Sequence, residues 1–139
     1  MPALNFKTAF APMVEAGIKT QTIRKPRKRP WRRGDRVHLY TGLRTQECRK
    51  LGEGEVLEVR RLLIAADGRA RFQEKGQLFP RYMSAQELHE FAQADGFDTT
   101  EEFVEFFRSH YGLPFTGDVI YWGPVGTVQQ ELELELELE

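Results

Sequence analysis

Lys19, Thr22 and Arg24 fall within one short run, Gly17-Ile18-Lys19-Thr20-Gln21-Thr22-Ile23-Arg24, and together they could work on a carbonyl group. Gly17 suits the left-handed residue that ends a short helix. The β-branched Thr22 and Ile23 favour an extended segment after it. In a strand, Thr22 and Arg24 then share one face while Ile23 points to the other. Lys19, in the turn before the strand, is close enough to share the face of Thr22. A threonine hydroxyl beside a lysine is a nucleophile with a base, provided burial or local cations lower the lysine pKa. Arg24 would stabilise the negative charge that develops on an attacked carbonyl. The same residues also suit an ordinary Lys-Thr turn with solvated side chains.

The second chemical feature is a block of positive charge. The 139 residues carry 20 Lys+Arg and 21 Asp+Glu, a formal net charge of −1, but the charges are segregated. Residues 19–50 hold 12 Lys+Arg against Asp35 and Glu47, residues 51–128 hold 7 against 13 acids, and the segment 129–139 holds five Glu. Association with a polyanion depends on the local field, not on the sum. Within Arg24–Arg33, Arg24, Lys25, Arg27, Lys28, Arg29, Arg32 and Arg33 could neutralise phosphates while Trp31 stacks on a base. Arg36, Arg44, Arg49 and Lys50 extend the positive surface. The alternative is a face neutralised by the protein's own acids.

Other chemistries find less support. His38, His89 and His110 lack HxxxH or HExxH spacing, so no metal site is expected. Cys48 is the single cysteine, which excludes a disulfide framework and a cysteine-rich zinc site. Its neighbours Arg44, Arg49 and Lys50 could lower its pKa, but a passive thiol is the simpler reading. Neither Ser84 nor Ser109 sits in a Gly-x-Ser-x-Gly frame, and Gly52-Glu53-Gly54 lacks the context of a phosphate loop. No cofactor is expected. No apolar run approaches the roughly 20 residues of a membrane span, and there is no signal-peptide core. A cytoplasmic protein is the expectation.

These residues need a scaffold, and the chain has the material for one. Its length fits a single domain, and 40% hydrophobic and 12% aromatic residues are those of a folded globule. Short strands are expected at Leu4–Lys7, Gln21–Arg24, Arg36–Thr41, Gly54–Ile64 and Gly117–Trp122, with a short helix at Pro12–Ala16. Val56, Leu57, Val59, Leu62 and Ile64 are core candidates, and Asp67-Gly68 is a hairpin turn. Ser84-x-x-Glu87 and Thr99-x-x-Glu102 are capping boxes opening two helices. The first runs to about Ala94, and the second, with Phe103, Phe106 and Phe107, stops at Gly112-Leu113-Pro114. Many strands with two consecutive late helices suggest an α+β fold, a small barrel with flanking helices. Glu131–Glu139 alternates Glu and Leu, the pattern of an amphipathic strand. It is set apart as a frayed or self-pairing appendage, natural or of cloning origin, through which copies could associate.

The run Gly17-x-Lys19-x-x-Thr22-Ile23-Arg24, followed by Gly34-Asp35 and an alternating strand, resembles the signature of the ASCH domain family. The resemblance continues through Ala94-Asp95-Gly96-Phe97 and the terminal Gly117-Asp118-Val119-Ile120-Tyr121-Trp122, and so covers residues 4–122. Tyr40–Arg44 and Cys48–Gly52 resemble small phage- and prophage-type members. The resemblance implies a PUA-like barrel over residues 1–128 and work on RNA or modified nucleosides. Its most concrete implication is the activity of the bacterial N4-acetylcytidine amidohydrolase branch. In that branch a signature lysine and threonine act with a later acidic residue, matched here by Lys19, Thr22 and Asp95. The branch carries Glu where this chain carries Asp95. Tyr40, with the cations Arg24–Lys50 and Trp31, would contact substrate or RNA. A non-catalytic RNA-binding module and a ribonuclease remain the alternative readings.

Overall fold

The computed structural model describes residues 2–138 and has mixed α+β architecture. Its elements follow in the order β1 (Ala3–Phe6), α1 (Ala11–Glu15), β2 (Gln21–Arg24), β3 (Arg36–Thr41), β4 (Arg49–Ile64), β5 (Ala70–Phe72), α2 (Ala85–Ala94), α3 (Thr100–Tyr111), β6 (Phe115–Gly123) and α4 (Thr127–Leu138). The strands form a six-stranded sheet in the order β1-β3-β4-β6-β2, with β5 pairing on β4. No pairing joins β1 to β2 among the described residues, so the sheet is open and the expected closed barrel does not form. Closure depends on which distant edges meet, and hydrophobic alternation says nothing about that. No helix is long and apolar enough to cross a membrane.

The chain divides into two compact units. The first contains the residues up to Thr20, Trp31–Val59 and those from Ile120 onward. In it β1 pairs parallel to β3, with Leu4 opposite Leu39, and β3 runs antiparallel to β4, with Val37 opposite Gly54. Val37, Leu39 and Thr41 are buried while Arg36, His38 and Tyr40 are not, the alternation of a strand buried on one face. Its core brings Leu4, Phe6, Val37, Val56 and Ile120 together with Trp122. The Phe6 and Trp122 rings lie 5.7 Å apart in tilted contact.

Trp31 belongs to this same core and is only 5% exposed. The expectation that Trp31 stacks on a base is therefore corrected: a large apolar ring gains more from burial than from remaining in a run of cations.

The second unit contains Gln21–Pro30 and Arg60–Val119. Leu62 and Ile64, on one face of β4, are fully buried, and β5 pairs with that strand through Leu62 opposite Phe72. The Asp67-Gly68 turn closes the hairpin, with the Gly68 amide donating to the Ala65 carbonyl at 2.9 Å. Gly68 has φ +90°, and a Cβ there would sit 3.1 Å from Cγ1 of Val104 on α3. An aromatic cluster spreads outward from Phe103, whose ring lies 5.9, 5.6 and 5.1 Å from those of Phe91, Phe97 and Phe107.

Both helix starts are capped by the expected residues. The Ser84 hydroxyl accepts from the Glu87 amide at 3.1 Å, and the Glu87 carboxylate accepts from the Ser84 amide at 3.0 Å. At α3 the Thr99 hydroxyl accepts from the Glu102 amide at 3.1 Å. Glu87 also receives a two-pronged contact from the Arg81 guanidinium, both bonds at 2.9 Å. Arg81 first, and then the Ser84 bonds, pull the Glu87 carboxyl down from its ordinary value to about 2. A depressed folded-state pKa contributes stability above the ordinary carboxyl range and loses it as pH falls toward 2. Wild type should therefore melt above Glu87→Gln at pH 7, and the two melting curves should converge between pH 4.5 and 2. A thermal melt followed by circular dichroism at each pH checks this, and a gap that is constant with pH would contradict it.

The alternating Glu-Leu segment is helical, not extended. Glu, Leu and Gln are strong helix formers, and among the described residues no strand pairs with this segment. The Glu55 carboxylate of β4 accepts from the amides of Gly126 and Val128 at 3.3 and 2.6 Å, so it caps the first turn of α4. A period of two wrapped at 100° per residue scatters the leucines around the helix. Leu132, Leu134 and Leu136 are accordingly exposed.

Candidate functional site

The signature loop is held by its own backbone. After α1 the chain turns at Gly17, which has φ +76°. The amides of Ile18 and Lys19 both donate to the Met13 carbonyl, at 2.9 and 3.0 Å. A left-handed residue directly after a short helix is what only glycine adopts without strain. The Thr20 carbonyl accepts from the Trp122 amide at 3.0 Å, which anchors the exit of the loop to β6.

Lys19 lies in the first unit and is 3% exposed. Its Nζ is 5.2 Å from the centre of the Phe10 ring and 5.9 Å from that of Phe6. Two ring faces offer a buried ammonium part of the stabilisation that water would otherwise supply.

Thr22, Arg24 and Asp95 lie in the second unit. The Arg24 Nε donates to the Thr22 hydroxyl oxygen at 3.2 Å, so the two side chains share a face of β2 as their alternation predicts. Thr22 and Asp95 are each only 5% exposed. Burial pushes the Arg24 guanidinium below its ordinary value, while the charges of Tyr111 and Asp95 act in the opposite direction. Asp95 caps the C-terminal end of α2, its amide donating to the Phe91 carbonyl at 3.0 Å. The reversal continues with the Phe97 amide donating to Ala92 at 3.0 Å. A buried aspartate is thereby placed where its field reaches Arg24.

Tyr111, the last residue of α3, was not singled out in the sequence. It joins this group through Arg24 and through Lys25, whose Nζ is 5.2 Å from the centre of its ring. The ring also packs at 4.7 Å on Phe115 and stacks at 5.8 Å on Phe107. The available signal was its i+4 spacing from Phe107. Gln21 is a further omission: it is buried on β2, and its side-chain Nε2 has no hydrogen-bond partner among the described residues.

The basic block is divided between the units. Lys25, Arg27, Lys28 and Arg29 are exposed in the second, and Arg32, Arg33, Arg44, Arg49 and Lys50 in the first. Several of these cations meet acids. Arg49 pairs with Glu15, Arg33 with Glu131 at 2.5 Å and Lys50 with Glu53 at 2.6 Å. Lys50 also lies 6.0 Å from the centre of the half-buried Tyr40 ring. The Lys50 hydrogen bond is the main reason the Glu53 carboxyl sits below its ordinary value. Part of the positive surface is thus neutralised within the molecule, as the alternative reading of the block holds.

Cys48 is exposed and forms no disulfide. Ser84 is a helix cap, as expected, and His110 stacks on Phe106 at 4.1 Å. Among the described residues, no group of three or more His, Cys, Asp or Glu side chains could hold a metal ion. Comparison of the chain with protein-family models, curated proteins and solved structures finds no match.

Proposed function

We propose that the chain is an ASCH-type, PUA-like protein acting on RNA or a modified nucleoside, with hydrolysis of N4-acetylcytidine to cytidine and acetate as its reaction. The observation that carries this reading is the Arg24–Thr22 hydrogen bond, at 3.2 Å, beside the buried carboxylate of Asp95. A buried hydroxyl held by a guanidinium is not needed for a strand to form. It is the arrangement that stabilises an oxygen as it loses its proton.

In this mechanism the Thr22 hydroxyl oxygen attacks the acetyl carbonyl carbon and gives up its proton to Lys19, three residues earlier in the chain. Arg24 stabilises the negative charge that develops. The C–N bond breaks as the exocyclic nitrogen takes the proton that Lys19 received, while the Asp95 carboxylate favours the charged form of Arg24. Water then cleaves the threonyl ester, releasing acetate and restoring the hydroxyl.

The test is incubation of the purified chain with N4-acetylcytidine, with cytidine and acetate measured, alongside binding of short single-stranded RNA. Wild type should release cytidine and Lys19→Ala should lose turnover at least about a hundredfold, the usual scale for a general base, while keeping its RNA affinity. Absence of turnover in wild type, or undiminished turnover in Lys19→Ala, would overturn the amidohydrolase reading. The exposed Lys25, Arg27, Lys28 and Arg29 favour a second reading, a non-catalytic RNA-binding module, which predicts RNA binding without turnover. RNA cleavage that disappears in Thr22→Val would indicate a ribonuclease instead.

A further inference from the structure

In the first unit Trp31, Arg32, Arg33, Leu57, Glu58 and Val59 line an open depression of about 510 Å³. Its lining combines three apolar residues with Arg32, Arg33 and Glu58. Glu131 of α4 pairs with Arg33, its carboxylate 2.5 Å from the guanidinium with both side chains half exposed. The other end of the contact is fixed separately. Glu55 holds the amides of Gly126 and Val128, and Gln130 donates to the Gly126 carbonyl at 3.0 Å. The first turn of α4 is therefore tethered to β4, and the tether delivers Glu131 to Arg33. Glu135, one turn further on, shares the stripe of Glu131. Spaced carboxylates on a rigid rod present charge at intervals, as a phosphate backbone does.

We propose that α4 is an internal competitor for the Arg32–Arg33 surface, and that this surface takes the phosphates of a single-stranded RNA once α4 is displaced. The inference rests on the RNA-binding reading above and adds its regulation. Arg33 cannot hold Glu131 and a phosphate in the same place, so RNA must separate the helix from it. The Arg33–Glu131 pair is exposed and weak enough to exchange. Release of α4 also removes an acidic segment from the neighbourhood of the incoming polyanion, which lowers the electrostatic cost of association.

The test measures fluorescence anisotropy of a labelled 12-nucleotide oligouridylate with the full chain, with Glu131→Gln, and with all four acids at 131, 133, 135 and 137 changed to Gln. Glu131→Gln should tighten binding about two- to fivefold, the range of one exposed ion pair, and the fourfold variant more. Arg33→Gln should weaken binding and cancel the gain from Glu131→Gln in the double variant. Amide hydrogen exchange gives a second readout: adding RNA should speed exchange across 128–134. Equal RNA affinities for wild type and both Gln variants, with exchange in α4 unchanged by RNA, would overturn the inference and leave the RNA reading intact. No RNA binding by any of these chains would overturn both. Binding of polyglutamate without binding of RNA would assign the surface to an acidic protein and also overturn it.

Discussion

Thr22→Val should abolish N4-acetylcytidine hydrolysis while leaving the fold in place. Valine matches threonine closely in volume and is at least as content in a strand, so β2 keeps its packing. The hydroxyl that accepts from Arg24 at 3.2 Å is lost, and with it the only atom of residue 22 able to form an ester. A drop of about 10⁴-fold or more in kcat is expected for removal of a nucleophile. Thr22→Ser restores a hydroxyl at the same carbon and should recover measurable turnover. The comparison is made at matched concentration, with a melting curve for each variant. Thr22→Val also leaves the Arg24 guanidinium partly buried with one acceptor fewer, a change expected to cost about 1–3 kcal/mol of stability. Valine and wild type turning over at equal rates would remove Thr22 from the chemistry.

Phe103→Ala should produce the largest loss of stability. Phe103 is fully buried and its ring meets those of Phe91, Phe97 and Phe107. Truncation removes the transfer free energy of the ring and leaves a cavity among three others that cannot all collapse into it. A cost of about 3–5 kcal/mol is typical of such a change, which in a chain of this size lowers the melting temperature by about 10 °C or more. Phe79 provides the control, since it is 85% exposed and Phe79→Ala should stay within about 0.5 kcal/mol of wild type. Similar melting temperatures for the two variants would mean that the aromatic cluster is not what holds the second unit together.

What could be read from the sequence was local. The caps at Ser84 and Thr99, the hairpin at Asp67-Gly68, the glycine stop at residue 17 and the buried face of β4 at Val56, Leu62 and Ile64 all depend on neighbours a few positions away. Leu57 and Val59, also expected in the core, are only partly buried, and Val59 packs against the edge of the first unit's core. The misreadings share a different cause. Trp31 sits among Pro30, Arg32 and Arg33, whose polarity suggests an exposed loop, yet its burial is decided by distant Leu39 and Val56. The open sheet follows from pairings between strands far apart in sequence. In α4 the period of two pointed to a strand, but helix propensity and the Glu55 cap prevail where no partner strand is present. For the candidate site, the face shared by Thr22 and Arg24 was legible from alternation alone. Tyr111 was not, because its relation to Arg24 and Lys25 exists only once α3 and β2 are folded.

The hairpin tip carries a consequence for how this sequence can change. Gly68 combines a φ of +90° with a Cβ position only 3.1 Å from Val104, so two constraints act on one residue. Any side chain at 68 must both tolerate the left-handed backbone and push against α3. Trimming Val104 to alanine relieves the second constraint and leaves the first. Asparagine, the residue most tolerant of that backbone after glycine, would fit at 68 more easily once position 104 had become smaller. The helix face and the turn are thereby coupled, and a smaller residue at 104 widens what the turn accepts.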